Sequence, residues 1–187
     1  DLEHIRTLGF RGEALASIAS VSQVTLLTRY AGEPIGTMVH IEGGHLITQE
    51  PKGGPPGTTI SVEHLFYNVP ARLKFLRQAA TEAGRIVEIV QRFAMAFPER
   101  RFSLVSDNRL AFQSTGSGRL HDVLVKVWGL DNARQLVPVG GEEVDTEATP
   151  VIDDALGLVQ AHGYVGLPSL SRSNRNHILL FLIHRIV

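Results

Sequence analysis

Two glycines three residues apart open directly into a helical pattern in the run Leu8-Gly9-Phe10-Arg11-Gly12-Glu13-Ala14-Leu15. Beyond Gly12 the apolar residues Leu15, Ile18 and Ala19 recur at intervals of three and four, the period of one helix face. A glycine-rich turn feeding a helix N-terminus makes an anion site, because unpaired backbone N–H groups and the positive end of the helix dipole point the same way. The same spacing suits a tight turn before an ordinary core helix. Both readings put a sharp turn at Gly9 to Gly12 and a helix after it.

Further along, β-branched and apolar residues predict a strand over 21–29. Two short strands over 37–41 and 45–49 are joined by Glu42-Gly43-Gly44, a hairpin signal. Lys52-Gly53-Gly54-Pro55-Pro56-Gly57 is a loop, and a strand over 58–62 follows, with Ile60 and Val62 on one face. Pro70 suits the first turn of a helix over 71–76. Thr81 is the expected N-cap of the longest helix, 82–97, whose apolar stripe is 86, 89, 90, 93 and 97. A hairpin is expected around Asp107-Asn108, with strands over 102–105 and 110–113. The small-residue run Ser114-Thr115-Gly116-Ser117-Gly118 reads as a linker. Beyond it come a helix over 119–128, a strand over 136–139, an acidic loop over 140–150, and strands over 156–165 and 178–183. Helices and strands are interleaved throughout, so the class is α/β or α+β.

Three strings then carry a resemblance. They are Gly9-Phe10-Arg11-Gly12-Glu13-Ala14-Leu15, Gly57-Thr58-Thr59, and Phe66-Tyr67-Asn68-Val69-Pro70-Ala71-Arg72. Together, in this order, they resemble the MutL family of DNA mismatch-repair proteins, members of the GHKL ATPases. The first is similar to the third nucleotide-binding motif of that superfamily and the second to its fourth. The last separates MutL from gyrases, chaperones and histidine kinases. The resemblance implies an α+β chain: the C-terminal part of a Bergerat-type (GHKL) ATPase sandwich over 1–116, then part of a ribosomal protein S5 domain 2-like domain over 117–187.

The resemblance also implies a site. In the family the third motif wraps the ATP phosphates through main-chain amides, which would make Gly9, Phe10, Arg11, Gly12, Glu13, Ala14 and Leu15 the phosphate side. Glycine at 9 and 12 lets backbone approach phosphate with no Cβ in the way. Arg11 either faces a phosphate or pairs with Glu13. Only one of Thr58 and Thr59 can face a pocket, since neighbours on a strand point to opposite faces. The family pattern favours Thr58, through water to the adenine. Phe66-Tyr67-Asn68 and Pro70-Ala71-Arg72 are expected to fix the geometry of the loop and helix behind the nucleotide. Arg72, Lys74 and Arg77, followed by Arg85, Arg92, Arg100 and Arg101, form either a solvated face or one wall of a groove holding DNA by its phosphates. Where the family has an Asn-Gly-Arg turn the chain has Ile183-His184-Arg185, and Arg185 keeps the basic side chain offered to DNA.

Other classes are less well served. There is no cysteine, so no disulfide or thiolate zinc site exists. The eight histidines include no His-Glu-x-x-His and no i, i+4 pair, and no metal site is expected. The P-loop pattern is absent, and Glu142-Glu143 and Asp153-Asp154 read as solvated. A formal net charge of −1 advertises no global field for nucleic acid. No apolar run approaches the ~18 residues that cross a bilayer, and no signal peptide is evident. With Asp1-Leu2-Glu3 at one end and an apolar run before His184-Arg185-Ile186-Val187 at the other, the chain reads as a piece of a longer protein. The location expected for it is the bacterial cytoplasm, or the nucleus if eukaryotic.

The resemblance places the family's general-base Glu and magnesium-binding Asn on a helix preceding everything in this chain. The adenine-reading Asp-x-Gly-x-Gly precedes it too, and the γ-phosphate-sensing Lys would follow Val187. The expected parent binds ATP with Mg²⁺ and hydrolyses it slowly. It dimerises with itself or a paralogue, and relays mismatch recognition from a MutS-type protein, on DNA, to a downstream nicking endonuclease or helicase. The chain alone is expected to be inactive. The rival reading is a DNA-binding or structural module of another GHKL protein, such as a topoisomerase subunit.

Overall fold

Alternation along four strands, all antiparallel to their neighbours, builds the first half of the molecule. The computed structural model describes residues 13–140, 161–173, 175, 177–182 and, by backbone alone, 185–186. The chain falls into two compact units, Asp1–Gln78 and Ala79–Val187, and each is described by itself.

In the first unit, α1 (Ala14–Ala19) leads into β1 (Gln23–Arg29), β2 (Gly36–Glu42), β3 (His45–Lys52) and β4 (Gly57–Glu63), followed by α2 (Pro70–Leu73). The strand order is β3-β2-β1-β4. Register aligns Val24 with Ile41 and Val62, Leu26 with Val39 and Ile60, and Thr28 with Thr37 and Thr58. Directly opposed residues share a face, so one face of the sheet is an aliphatic band closed at one end by threonines. Val24 is buried there, while Ile60 and Val62 stay exposed. The other face is mixed, with Leu27 opposite Met38 and, further along, a polar run in which Thr25 Oγ1 lies 3.0 Å from His40 Nδ1 and His40 Nε2 lies 2.9 Å from Glu42 Oε1. The hairpin expected at Glu42-Gly43-Gly44 is present, with φ of 54° and 86° at the two glycines, the left-handed pair that a two-residue turn with native strand twist needs. Pro70 takes the first turn of α2 as expected, although the helix stops at Leu73 and not at Leu76.

The second unit starts with α3 (Ala79–Ala96), followed by β5 (Ser103–Ser106), β6 (Arg109–Gln113), α4 (Leu120–Trp128), α5 (Leu130–Ala133), β7 (Leu136–Val139), β8 (Gly163–Gly166), β9 (Phe181–Leu182) and β10 (Arg185–Ile186). Its core joins Ala94 and Met95 of α3 to Phe112 of β6 and Val123 and Leu124 of α4, with Val90, Phe102, Trp128, Tyr164 and Phe181 packed around them. The expected stripe of α3 therefore divides. Val90 packs on the core, and Ile86, Ile89 and Phe93 remain exposed. Thr81 does not cap this helix, which already begins at Ala79, because two alanines favour helix over anything Thr81 could gain as a boundary. Asp107 and Asn108 make the expected turn, at φ of 48° and 59°.

The run 114–118 is packed within this unit. Buried Ser114 accepts from the Phe102 N–H at 2.9 Å and donates to Arg100 O at 3.2 Å, and the Gly118 N–H donates to Pro98 O at 3.1 Å. The division by contact lies at Gln78/Ala79, ahead of the boundary expected at 116/117. At the start of α4 the Asp122 carboxylate accepts from Ser117 Oγ at 2.8 Å and from both Nε and Nη2 of Arg119. The Ser117 hydroxyl, then Arg119, hold it below the usual carboxylate range. The acidic loop expected over 140–150, with Glu142 and Glu143, and the pair Asp153-Asp154 lie outside the described residues from 141 onward. Of the strand expected over 178–183, Phe181–Leu182 is strand. Among the described residues no helix is long and apolar enough to cross a membrane.

Candidate functional site

Of the seven residues expected on the phosphate side, Gly9, Phe10, Arg11 and Gly12 lie outside the described residues, and with them the choice of partner for Arg11. Glu13 precedes α1 with φ −108° and ψ 0° and makes no side-chain cap. Ala14 and Leu15 form the exposed first turn. The helix they begin is short, and six residues of isolated α-helix are not stable in water. Tertiary bonds hold it instead.

Five consecutive carbonyls at and just beyond its C-terminal end are satisfied, Ile18 by local donors and the next four by tertiary ones. Ile18 O accepts from Ser22 Oγ at 2.6 Å and from the Val21 N–H. Ala19 O accepts from the Gly44 N–H at 2.8 Å, and Ser22 O from the Gly43 N–H at 3.1 Å. Ser20 O accepts from Asn68 Nδ2 at 2.9 Å, and Val21 O from the Phe66 N–H at 2.7 Å. A helix end leaves its last carbonyls without intrahelical partners. Here Ser22 and Val21 satisfy Ile18 O, and the β2–β3 turn and the Phe66-Tyr67-Asn68 loop satisfy Ala19 O to Ser22 O. The loop is strained to do so: His64 and Phe66 sit at φ of 52° and 63°, a region that costs a non-glycine residue of order 1 kcal/mol or more. The structural role expected of Phe66-Tyr67-Asn68 thus takes a specific form, a clasp on the helix that follows Gly12.

Gly43 is the tightest point of the clasp. A Cβ there would lie 2.8 Å from Tyr67 Oη and 3.4 Å from Asn68 Nδ2, at a φ that disfavours any L side chain. Gly43→Val is expected to destabilise the protein by about 2–3 kcal/mol, from backbone strain and displacement of Tyr67, and Asn68→Ala by about 1–2 kcal/mol. Urea unfolding followed by circular dichroism measures both. Losses under about 0.5 kcal/mol, the range of an ordinary surface change, would contradict the clasp.

Thr58 sits at the start of β4, on the aliphatic face with Ile60 and Val62, and Thr59 faces the opposite way with Ser61. Thr58 is exposed, and its Oγ1 lies 2.8 Å from Thr28 Oγ1 on β1. Next to Thr28, Arg29 braces the loops at this end of the sheet, donating from Nε to Gly54 O and from Nη1 to Glu33 O, both at 2.6 Å. Sequence reasoning assigned nothing to Thr28 or Arg29. The strand register that pairs Thr28 with Thr58 was the missing signal.

The basic residues separate by their partners. Arg85 lies 4.0 Å from Glu82, and Arg100 lies 3.4 Å from Glu99. Among the described residues, no ion pair involves Arg72 or Lys74, both exposed at the end of α2. Arg185 opens β10 opposite Leu182 of β9, and its side chain lies outside the described residues. No group of three His, Asp or Glu among the described residues could hold a metal ion.

No family model matches the chain. Individual proteins do. The DNA mismatch repair protein MutL of Streptococcus thermophilus is 41% identical over all 187 residues, and that of Desulforudis audaxviator is 46% identical over the same span. The chain spans 27% and 31% of the lengths of these two relatives. Among solved structures, the Aquifex aeolicus MutL ATPase domain complexed with ADP is 34% identical, with a TM-score of 0.60 over 63% of this chain and 49% of that one. The mixed α+β fold of the chain resembles that ATPase domain.

Proposed function

The chain belongs to the MutL family of DNA mismatch-repair proteins, and from that premise we propose that it supplies one side of an ATP-binding switch. Gly9 to Leu15 hold the phosphates through backbone amides, and Thr58 reaches the adenine through water. The single observation that carries this reading is the identity to MutL proteins across the whole chain, beside a similar ATPase domain solved with ADP. The geometry fits it. A glycine loop can act as a lid only if the helix behind it is anchored, and the clasp on Ala19 to Ser22 anchors α1. The exposed Thr58 hydroxyl lies on a face open to a ligand.

In the full-length protein ATP and Mg²⁺ close the lid, favour a dimer with itself or a paralogue, and support slow hydrolysis. Contacts to the terminal phosphate bias this order–disorder switch. The switch passes mismatch recognition by a MutS-type protein, on DNA in the bacterial cytoplasm, to a nicking endonuclease or helicase. We further assign residues 1–116 to the Bergerat-type ATPase domain and 117–187 to an S5 domain 2-like domain. The support is the change from hairpin to helix at the left-handed glycines Gly116 and Gly118, with residues on both sides of it sharing one core. Dimerisation of the full-length protein on adding Mg²⁺ and a non-hydrolysable ATP analogue tests the nucleotide reading.

DNA contact is assigned to Arg185 and Arg72. A phosphate contact acts by counterion release, so Arg185→Glu in the full-length protein should weaken binding alike for all sequences. It should also lower the slope of log affinity against log salt by about one unit. Arg72→Glu should have the smaller effect, and with a net charge of −1 binding should be confined to low salt. Titrations at several salt concentrations measure both slopes. An unchanged slope for Arg185→Glu would leave it a surface charge with no DNA role.

A further inference from the structure

The hydroxyl pair at the end of the β1–β4 ladder has a consequence for how a base would be read. Thr28 and Thr58 face each other in register with their Oγ1 atoms 2.8 Å apart. Thr28 is half-buried and Thr58 exposed, so Thr58 is the more accessible hydroxyl of the pair and Thr28, beside it, the more covered. A threonine hydroxyl has one proton and two lone pairs. If Thr28 donates to Thr58, the Thr58 proton is directed outward to an acceptor. If Thr58 donates to Thr28, Thr58 offers only lone pairs. A lone exposed hydroxyl spins freely and must be ordered by its ligand, whereas a paired one is held in advance and loses less freedom on binding. Further along the same face the opposed pairs are aliphatic, Leu26 with Ile60 and Val24 with Val62, so these residues offer Thr58 no other hydroxyl. Arg29, the next residue on β1, fixes the loops on either side through Glu33 O and Gly54 O, which holds the end of the ladder in place.

We propose that Thr28 is a positioning residue for base recognition: it orients the Thr58 hydroxyl so that its proton is presented to an acceptor on a purine ring or to the water that bridges to one. The inference rests on the reading of Thr58 as the base contact. Loss of one such hydrogen bond is worth roughly a two- to tenfold change in affinity. Thr28→Val keeps the β-branched shape and removes the hydroxyl, and Thr28→Ser keeps the hydroxyl.

The test is equilibrium binding to the full-length protein of ATP and of ribose 5′-triphosphate, which has no base, with Mg²⁺ and with a melting curve for each variant. Thr28→Val should weaken ATP about two- to tenfold and leave ribose 5′-triphosphate unchanged, and Thr28→Ser should restore ATP affinity. Equal losses for both ligands would make Thr28 a fold residue only and overturn the inference. So would an unchanged ATP affinity in Thr28→Val when Thr58→Val binds ATP more weakly. If Thr58→Val itself leaves ATP affinity unchanged, the base-contact reading falls, and the role of Thr28 falls with it.

Discussion

The 187-residue chain on its own is expected to turn over no ATP. Positioned general-base catalysis contributes roughly 10²–10⁴-fold, and the resemblance assigns that base to a glutamate that none of the acidic residues here matches. Glu13 is the nearest acid in sequence to the glycine loop, but it stands exposed at the start of α1 and makes no side-chain cap there. An exposed carboxylate lacks the tuned environment of a catalytic base. Magnesium would have supplied further stabilisation of the transferring phosphoryl group, and no residue of the chain is assigned to it. Phosphate release by the purified chain, measured across a concentration series, should stay at the buffer rate. Release that scales with chain concentration and survives further purification would contradict the assignment.

What could be read from the sequence was whatever depends on local geometry. The turns at Gly43-Gly44 and Asp107-Asn108 were legible because left-handed backbone has few tenants. Pro70 marked the first turn of α2 for the same local reason. Boundaries failed where competing signals were close in strength. Thr81 is a good cap, yet Ala79 and Ala80 before it are better helix formers. The apolar run 178–183 has no polar alternation to fix its pairing, and the strand there is shorter than expected. The small residues of 114–118 read as a linker, and within it Ser114 is buried and bonded on both sides.

The site divides in the same way. Its motifs were readable as words, and the resemblance placed Thr58 against Thr59 before the register put them on opposite faces. The clasp was not readable, because it consists of main-chain carbonyls from Ala19 to Ser22 that carry no residue signature. Asn68 and Gly43 were visible only as members of a motif and a turn, and their meeting on one helix end needs the sheet to be folded. Thr28 was hidden for the same reason: nothing in the order of residues says that positions thirty apart oppose each other.

Gly12→Val in the full-length protein tests whether the glycine loop of this chain holds the phosphates of ATP. A Cβ there blocks close approach of the backbone and disfavours a left-handed turn. Losing two amide–phosphate bonds at about 1.5 kcal/mol each amounts to about a hundredfold in affinity. Binding of a non-hydrolysable ATP analogue with Mg²⁺ is to be measured beside sedimentation and a melting curve. Affinity should fall about a hundredfold or more, and analogue-driven dimerisation should be lost, at an unchanged melting temperature. Unchanged affinity in the folded variant would contradict the phosphate-holding role, and unfolding of the variant would make Gly12 a fold residue and remove the support for the phosphate loop.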